Sequence, residues 1–181
     1  MANITSKMSD IITDQVKNYF GNSTLESTQY QEVEQILFYS RMSLILVANA
    51  DFRLLIKVHC NECDVKSLAK EALQFVEHDL QSGLGDFIKE LTNLLGGALK
   101  RSLEASQIEI GLSLPLLIRG FDELFSEKKA SSESSYFSLG SSGQKIIVHV
   151  QLDFLNEKAR QILANVNFSA DANSAGGFEF L

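Results

Sequence analysis

Residues 145–154, KIIVHVQLDF, repeat with a period of two. Ile146, Val148, Val150 and Leu152 fall on one face and Ile147, His149 and Gln151 on the other. A strand with an unbroken apolar row belongs to a sheet with at least one covered side, because that row is stable only when another layer packs on it. Residues 52–60, FRLLIKVHC, alternate in the same way, with Leu54, Ile56, Val58 and Cys60 inward and Lys57 and His59 outward. Two more strands are expected upstream. VEQILFY (33–39) places Val33, Gln35, Leu37 and Tyr39 on one face, and SLILVANA (43–50) is nearly all apolar, with Asn49-Ala50-Asp51 as a hairpin turn.

The layer that covers such a sheet is helical. Ile4, Met8, Ile11, Ile12, Val16, Tyr19 and Phe20 recur at helical spacing over 3–20, with Gly21 as a stop, and polar residues 22–29 read as a loop. A second helix is expected over 64–79, capped by Asp64 or Ser67, with Leu68, Ala72, Phe75 and Val76 inward. A third spans 83–103. IEIGLSLPLLI (108–118) reads as one or two strands broken at Pro115, the only proline. The Ser-rich stretch 126–143 reads as a mobile loop holding a short strand at 136–139. A short helix over about 155–165 follows, and the Gly/Ser/Ala/Asn-rich residues 169–181 read as a flexible tail. Strands and helices without strict alternation give an α+β fold around a mostly antiparallel sheet, in one domain over 1–168.

Several functions are excluded by composition. Sixteen Lys and Arg against 23 Asp and Glu leave a net charge of −7, which repels phosphate backbones and anionic lipid, so neither nucleic acid nor membrane is an expected partner. No apolar run approaches the roughly 20 residues of a membrane span, and the charged N-terminus does not resemble an export signal, so a cytoplasmic location is expected.

The third helix carries the chemistry. At about 100° per residue from Asp86, Glu90 falls near 40°, Asn93 near 340° and Gly97 near 20°, while Phe87, Leu91, Leu94, Leu95 and Ala98 fall between about 80° and 180°. Asp86, Glu90, Asn93 and Gly97 therefore form one polar stripe turned away from the core, and Gly97 leaves its middle open to close approach. A carboxylate pairs with a partner's lysine, and a carboxamide both donates to and accepts from a water. Asparagine is a poor base, so a reaction here rests on positioning water, which suits phosphoryl hydrolysis. Asp86, after Gly83 and Gly85, also suits a helix cap.

Asp86-x-x-x-Glu90-x-x-Asn93, with Gly97 four residues on and LSLPLLIRG (112–120) beyond, resembles the signature of the CheC/CheX/FliY chemotaxis phosphatases over about residues 30–154. The resemblance implies a CheC/CheX-like α+β fold, with the motif helix and a second helix packed on the sheet. It implies a phosphatase that removes phosphate from the aspartyl phosphate of a CheY-like response-regulator receiver. Glu90 would pair with a receiver lysine, and Asn93 would orient the attacking water, with Asp86 and Gly97 at the partner interface. Magnesium would belong to the receiver, so the chain would need no cofactor or metal of its own. The earlier helix has no Glu-x-x-Asn, since Glu71 is followed by Gln74 and Glu77 by Leu80, so the single-site CheX type is closest and implies a homodimer joined through sheet edges. The alternative is a non-catalytic module that binds a receiver or another signalling partner.

His59-Cys60-Asn61-Glu62-Cys63 offers a third reading, a dithiol between a strand and a helix. Alternation turns Cys60 inward, and there is no second cysteine pair to complete a zinc site, so a small buried hydrophobe beside a loop thiol is expected instead. His78 and His149 are expected at the surface or hydrogen-bonded.

Overall fold

The computed structural model describes residues 3–30, 37–68, 80–124 and 131–168. A 3-10 turn, Ile4–Met8, leads into helix α1, Ser9–Phe20. Gly21 ends α1 in the left-handed region at φ 62°, and the N–H groups of Gly21 and Asn22 close on the carbonyls of Asn18 and Lys17.

The following segment departs from the expected loop: Glu26–Tyr30 is strand β1, pairing antiparallel with a later strand from Glu26↔Gly140 to Tyr30↔Tyr136. All five residues are exposed. Backbone hydrogen bonding at the sheet edge forms this strand, so it shows no apolar period.

Strand β2, Leu37–Ala48, is continuous where two strands were expected; residues 33–36 lie outside the described residues. It turns at Asn49, whose side chain accepts from the N–H groups of Asp51 and Phe52, into β3, Phe52–Cys60. Helix α2, Glu62–Leu68, begins before either expected cap, and the Val65 N–H closes on the Asn61 carbonyl. Ala72, Phe75 and Val76 lie outside the described residues.

Helix α3, Leu80–Ala105, is longer at both ends than the expected 83–103. Gly111–Leu112 (β4) and Leu116–Leu124 (β5) then pair with successive parts of β2, and Pro115 stands in the gap between them. Ser113 bridges that gap, its N–H donating to the Leu46 carbonyl and its Oγ accepting from the Leu46 N–H.

Ser132–Ser141 is a full strand, β6, rather than a short one in a mobile loop. It lies between β1 and β7, Gln144–Phe154, where the sheet ladder satisfies its backbone and the serines line a strand. Residues 126–130 of the expected loop lie outside the described residues, as do 169–181. Helix α4, Glu157–Ala164, is capped by Asn156, which accepts from the Ala159 N–H.

The sheet runs β1-β6-β7-β3-β2-β4, with β5 also on β2, and every pairing is antiparallel. One core joins Ile11, Ile12 and Val16 of α1, Ile88, Leu91 and Leu95 of α3, and the inward rows of β3 and β7. The apolar rows that predicted a covered face are that face. Burying such rows contributes about 25 cal/mol per Å2 of apolar surface removed from water.

The reverse face differs from expectation. His59 is buried, and Tyr39, Tyr136 and Ile147 form a second buried cluster there. The register shift between Tyr39 and Arg41 in the β2–β5 pairing brings the Tyr39 ring to 5.8 Å from His59. His149 is buried too, stacked 4.3 Å from Tyr136, and neither of its ring nitrogens finds a hydrogen-bond partner among the described residues. Burial, then the charge of Lys57, then His59, lower its pKa to about 2.

The sign of the pH effect follows. The folded chain refuses a proton that the unfolded chain accepts below the ordinary imidazole value of about 6.5, so stability falls with pH through that value. His149 alone removes about 2 kcal/mol between pH 7 and pH 5. Urea midpoints at the two pH values should therefore separate less in His149→Phe than in wild type. An equal separation would mean that His149 is not held neutral.

Candidate functional site

Helix α3 lies across the sheet with Ile88, Leu95 and Leu99 at the centre of its buried face. Phe87 and Leu94 sit at the margins, so the apolar face centres farther round than the sequence arc suggested. Thr92 and Ser102 are buried polar residues on this helix, and each hydroxyl donates to a carbonyl one turn back, on Ile88 and Ala98.

The polar stripe stands opposite this face. Asp86 and Glu90 are exposed, and Asn93 and Gly97 are half-exposed. The Asp86 side chain is 74% exposed and pairs with Lys89 at 2.6 Å, a contact between solvated groups. Because the chain is already helical at Leu80, Asp86 stands inside α3 and is not its cap.

Two adjacent glycines have opposite surroundings. A Cβ on Gly96 would lie 3.0 and 3.1 Å from Ile45 side-chain carbons and 3.1 Å from Leu112 Cδ1, so this glycine lets the helix sit close on the sheet. A Cβ on Gly97 would meet only Nη1 of Arg101, at 3.4 Å. The opening expected at Gly97 is thus overlaid by an arginine of the same helix. Sequence reasoning missed Arg101, although a side chain four residues on leans back toward the helix N-terminus and reaches that spot.

Tyr19 of α1 was also missed as a neighbour of the stripe. Its ring lies 4.5 Å from that of Phe87, and its hydroxyl donates to the Phe87 carbonyl at 2.9 Å. Burial, then the nearby charge of Glu90, raise the pKa of its phenol. A neutral phenol therefore anchors the turn that carries Glu90. The arrangement is a convex ridge with an exposed carboxylate and a carboxamide one turn apart, on a helix held rigidly by α1 and the sheet. It suits entry into another molecule's pocket rather than enclosure of a small substrate.

The other candidates are not gathered there. Cys60 is fully buried at the end of β3 and Cys63 is exposed in α2, and the two are not joined in a disulfide. Among the described residues no three His, Cys, Asp or Glu side chains converge as a metal site, and no helix is long and apolar enough to cross a membrane.

This architecture, an antiparallel sheet with the stripe-bearing helix laid across it, is the fold of CheC/CheX-like proteins. A CheC-like superfamily protein from Shewanella sp. PV-4 is similar with a TM-score of 0.66 at 13% identity, over 84% of this chain and 99% of that one. A chain of the CheX–CheY–BeF3–Mg2+ complex from Borrelia burgdorferi gives 0.65 at 13% identity, over 86% and 100%. The chemotaxis protein CheX from Vibrio vulnificus gives 0.58 at 14% identity, over 83% and 96%. No protein-family profile matches the sequence. No curated protein matches it either.

Proposed function

We propose that this chain is a phosphatase for the aspartyl phosphate of a CheY-like receiver, acting in chemotaxis or other two-component signalling. The observation that carries the reading is the outward placement of Glu90 and Asn93 on a rigid ridge of CheC/CheX-like architecture. That a fold neighbour is a CheX–CheY complex supports the choice of partner.

In this mechanism Glu90 docks the receiver by pairing with a lysine there. Asn93 enters the receiver's site and holds a water in line with the phosphorus. The water oxygen bonds to phosphorus as the bond from phosphorus to the aspartyl oxygen breaks. The aspartate leaves as carboxylate, and the water's proton passes to phosphate or solvent. Alignment supplies most of the acceleration, because the transition state asks for positioning and charge neutralisation rather than a strong base. Magnesium and the reacting aspartate both belong to the receiver, and this chain needs no cofactor of its own. The assembly in this reading is a homodimer through sheet edges, for which β5 with exposed Leu116 and Ile118 is suited.

Glu90→Lys tests the docking role. It should raise KM for the phosphorylated receiver by about tenfold to a hundredfold, since like charges then face each other. Exchange of the receiver's lysine for glutamate should restore much of the loss. An unchanged KM for Glu90→Lys would remove Glu90 from the interface.

A further inference from the structure

Helix α1 is pinned at both ends, and its far end meets the ridge. In the 3-10 turn ahead of it, the Ile4 N–H donates to Glu133 Oε2 at 2.6 Å and the hydroxyls of Thr5 and Ser135 lie 2.7 Å apart, which ties this turn to β6. Ile11, Ile12 and Val16 then run through the core, so the helix cannot roll about its axis without unburying them. In the last turn of α1, Phe20 sets its ring edge-on to Phe87 of α3 with 5.5 Å between centroids, and Tyr19 lays its ring 4.5 Å from the same side chain. Phenylalanine at both positions would serve that packing. The Tyr19 hydroxyl adds a directed contact: it donates to the Phe87 carbonyl at 2.9 Å, using the second lone pair of an oxygen that also faces the Leu91 N–H in the helical ladder.

We infer that Tyr19 is a positioning residue for Glu90, holding the Phe87–Glu90 turn of α3 in the orientation that presents the carboxylate to the receiver. The inference rests on the phosphatase reading and adds to it a helix, α1, that the Glu-x-x-Asn motif does not contain. Glu90 stands three residues beyond Phe87 and is exposed, so the backbone that carries it sets where its charge points. Burial, then the charge of Glu90, raise the pKa of the phenol, which therefore stays protonated and keeps donating through the neutral range. A lysine on the receiver gains most from a carboxylate held in place beforehand, because ordering it on docking costs affinity. Asn93 lies in the next turn, flanked by buried Leu91, Thr92 and Leu95, so its placement does not depend on Tyr19.

The test is a double-mutant cycle on the full chain, using the CheY-like receiver, charged with acetyl phosphate, that the wild type turns over fastest. Tyr19→Phe keeps the ring on Phe87 and removes only the hydroxyl. It should raise KM about threefold to tenfold, the effect of one hydrogen bond, with kcat within about twofold of wild type. Glu90→Gln keeps the shape of that side chain and removes its charge. In the Glu90→Gln background Tyr19→Phe should change KM by less than about twofold, because no docking charge is left to orient. An unchanged KM in Tyr19→Phe alone, or a fall in kcat alone, overturns the inference. Equal factors in the two backgrounds overturn it too, because Tyr19 would then touch the receiver itself or act through the stability of the fold. If one of these results appears while Asn93→Ala still abolishes the acceleration, only this inference fails; if wild type accelerates no receiver, the phosphatase reading fails with it.

Discussion

Asn93→Ala should slow phosphate loss from a charged receiver by about 100-fold to 1,000-fold, the usual cost of deleting a preorganised hydrogen-bonding group at a reacting centre. The change should leave the fold intact. Asn93 is half-exposed on the outer side of α3, and surface substitutions of this kind usually move stability by no more than about 0.5 kcal/mol. KM should change little, because Glu90 still docks the partner. Asn93→Asp sharpens the test: it keeps the shape, cannot donate a hydrogen bond when ionised, and brings a negative charge toward a phosphoryl group. It should be as slow as alanine. A variant at either substitution that hydrolyses at the wild-type rate would show that the carboxamide positions nothing.

The second large effect concerns the seat of the ridge. Gly96→Leu should destabilise the fold by about 1–3 kcal/mol, the range for overfilling a packed core. The new side chain has to displace Ile45 of β2 and Leu112 of β4, both already within about 3 Å of its first carbon. Its neighbour should behave in the opposite sense. Gly97→Ala meets only the flexible end of Arg101 and gains about 1 kcal/mol of helix propensity, so the fold should be stabilised. Receiver KM should nonetheless rise several-fold, because the new methyl group displaces the Arg101 guanidinium that overlies this part of the ridge. Urea midpoints of the two variants on either side of wild type would establish which glycine seats the helix. Equal shifts would contradict that packing.

Much of this arrangement was legible because apolar periodicity reports burial. The inward rows of β3 and β7 and the helical spacing in α1 and α3 each placed their elements, and the wheel set Glu90 and Asn93 outward. Elements made by backbone pairing alone gave no such signal. Strand β1 exposes all its side chains, and the serines of β6 mimic a linker although Ser135 is buried against Thr5, with the two hydroxyls 2.7 Å apart. His59 and His149 were read from alternation as outward, which is true of the sheet face they occupy. Their burial depends on what packs over that face, and no single strand encodes it.

The central claim is that Glu90 and Asn93 work inside another protein's reactive site. Its most direct test is the time course of phosphate release from a phosphorylated CheY-like receiver with and without the wild-type chain. The account predicts an acceleration over the receiver's own decay that saturates with receiver concentration and vanishes in Asn93→Ala. Binding of the receiver with no acceleration would contradict it and leave a module that only holds its partner.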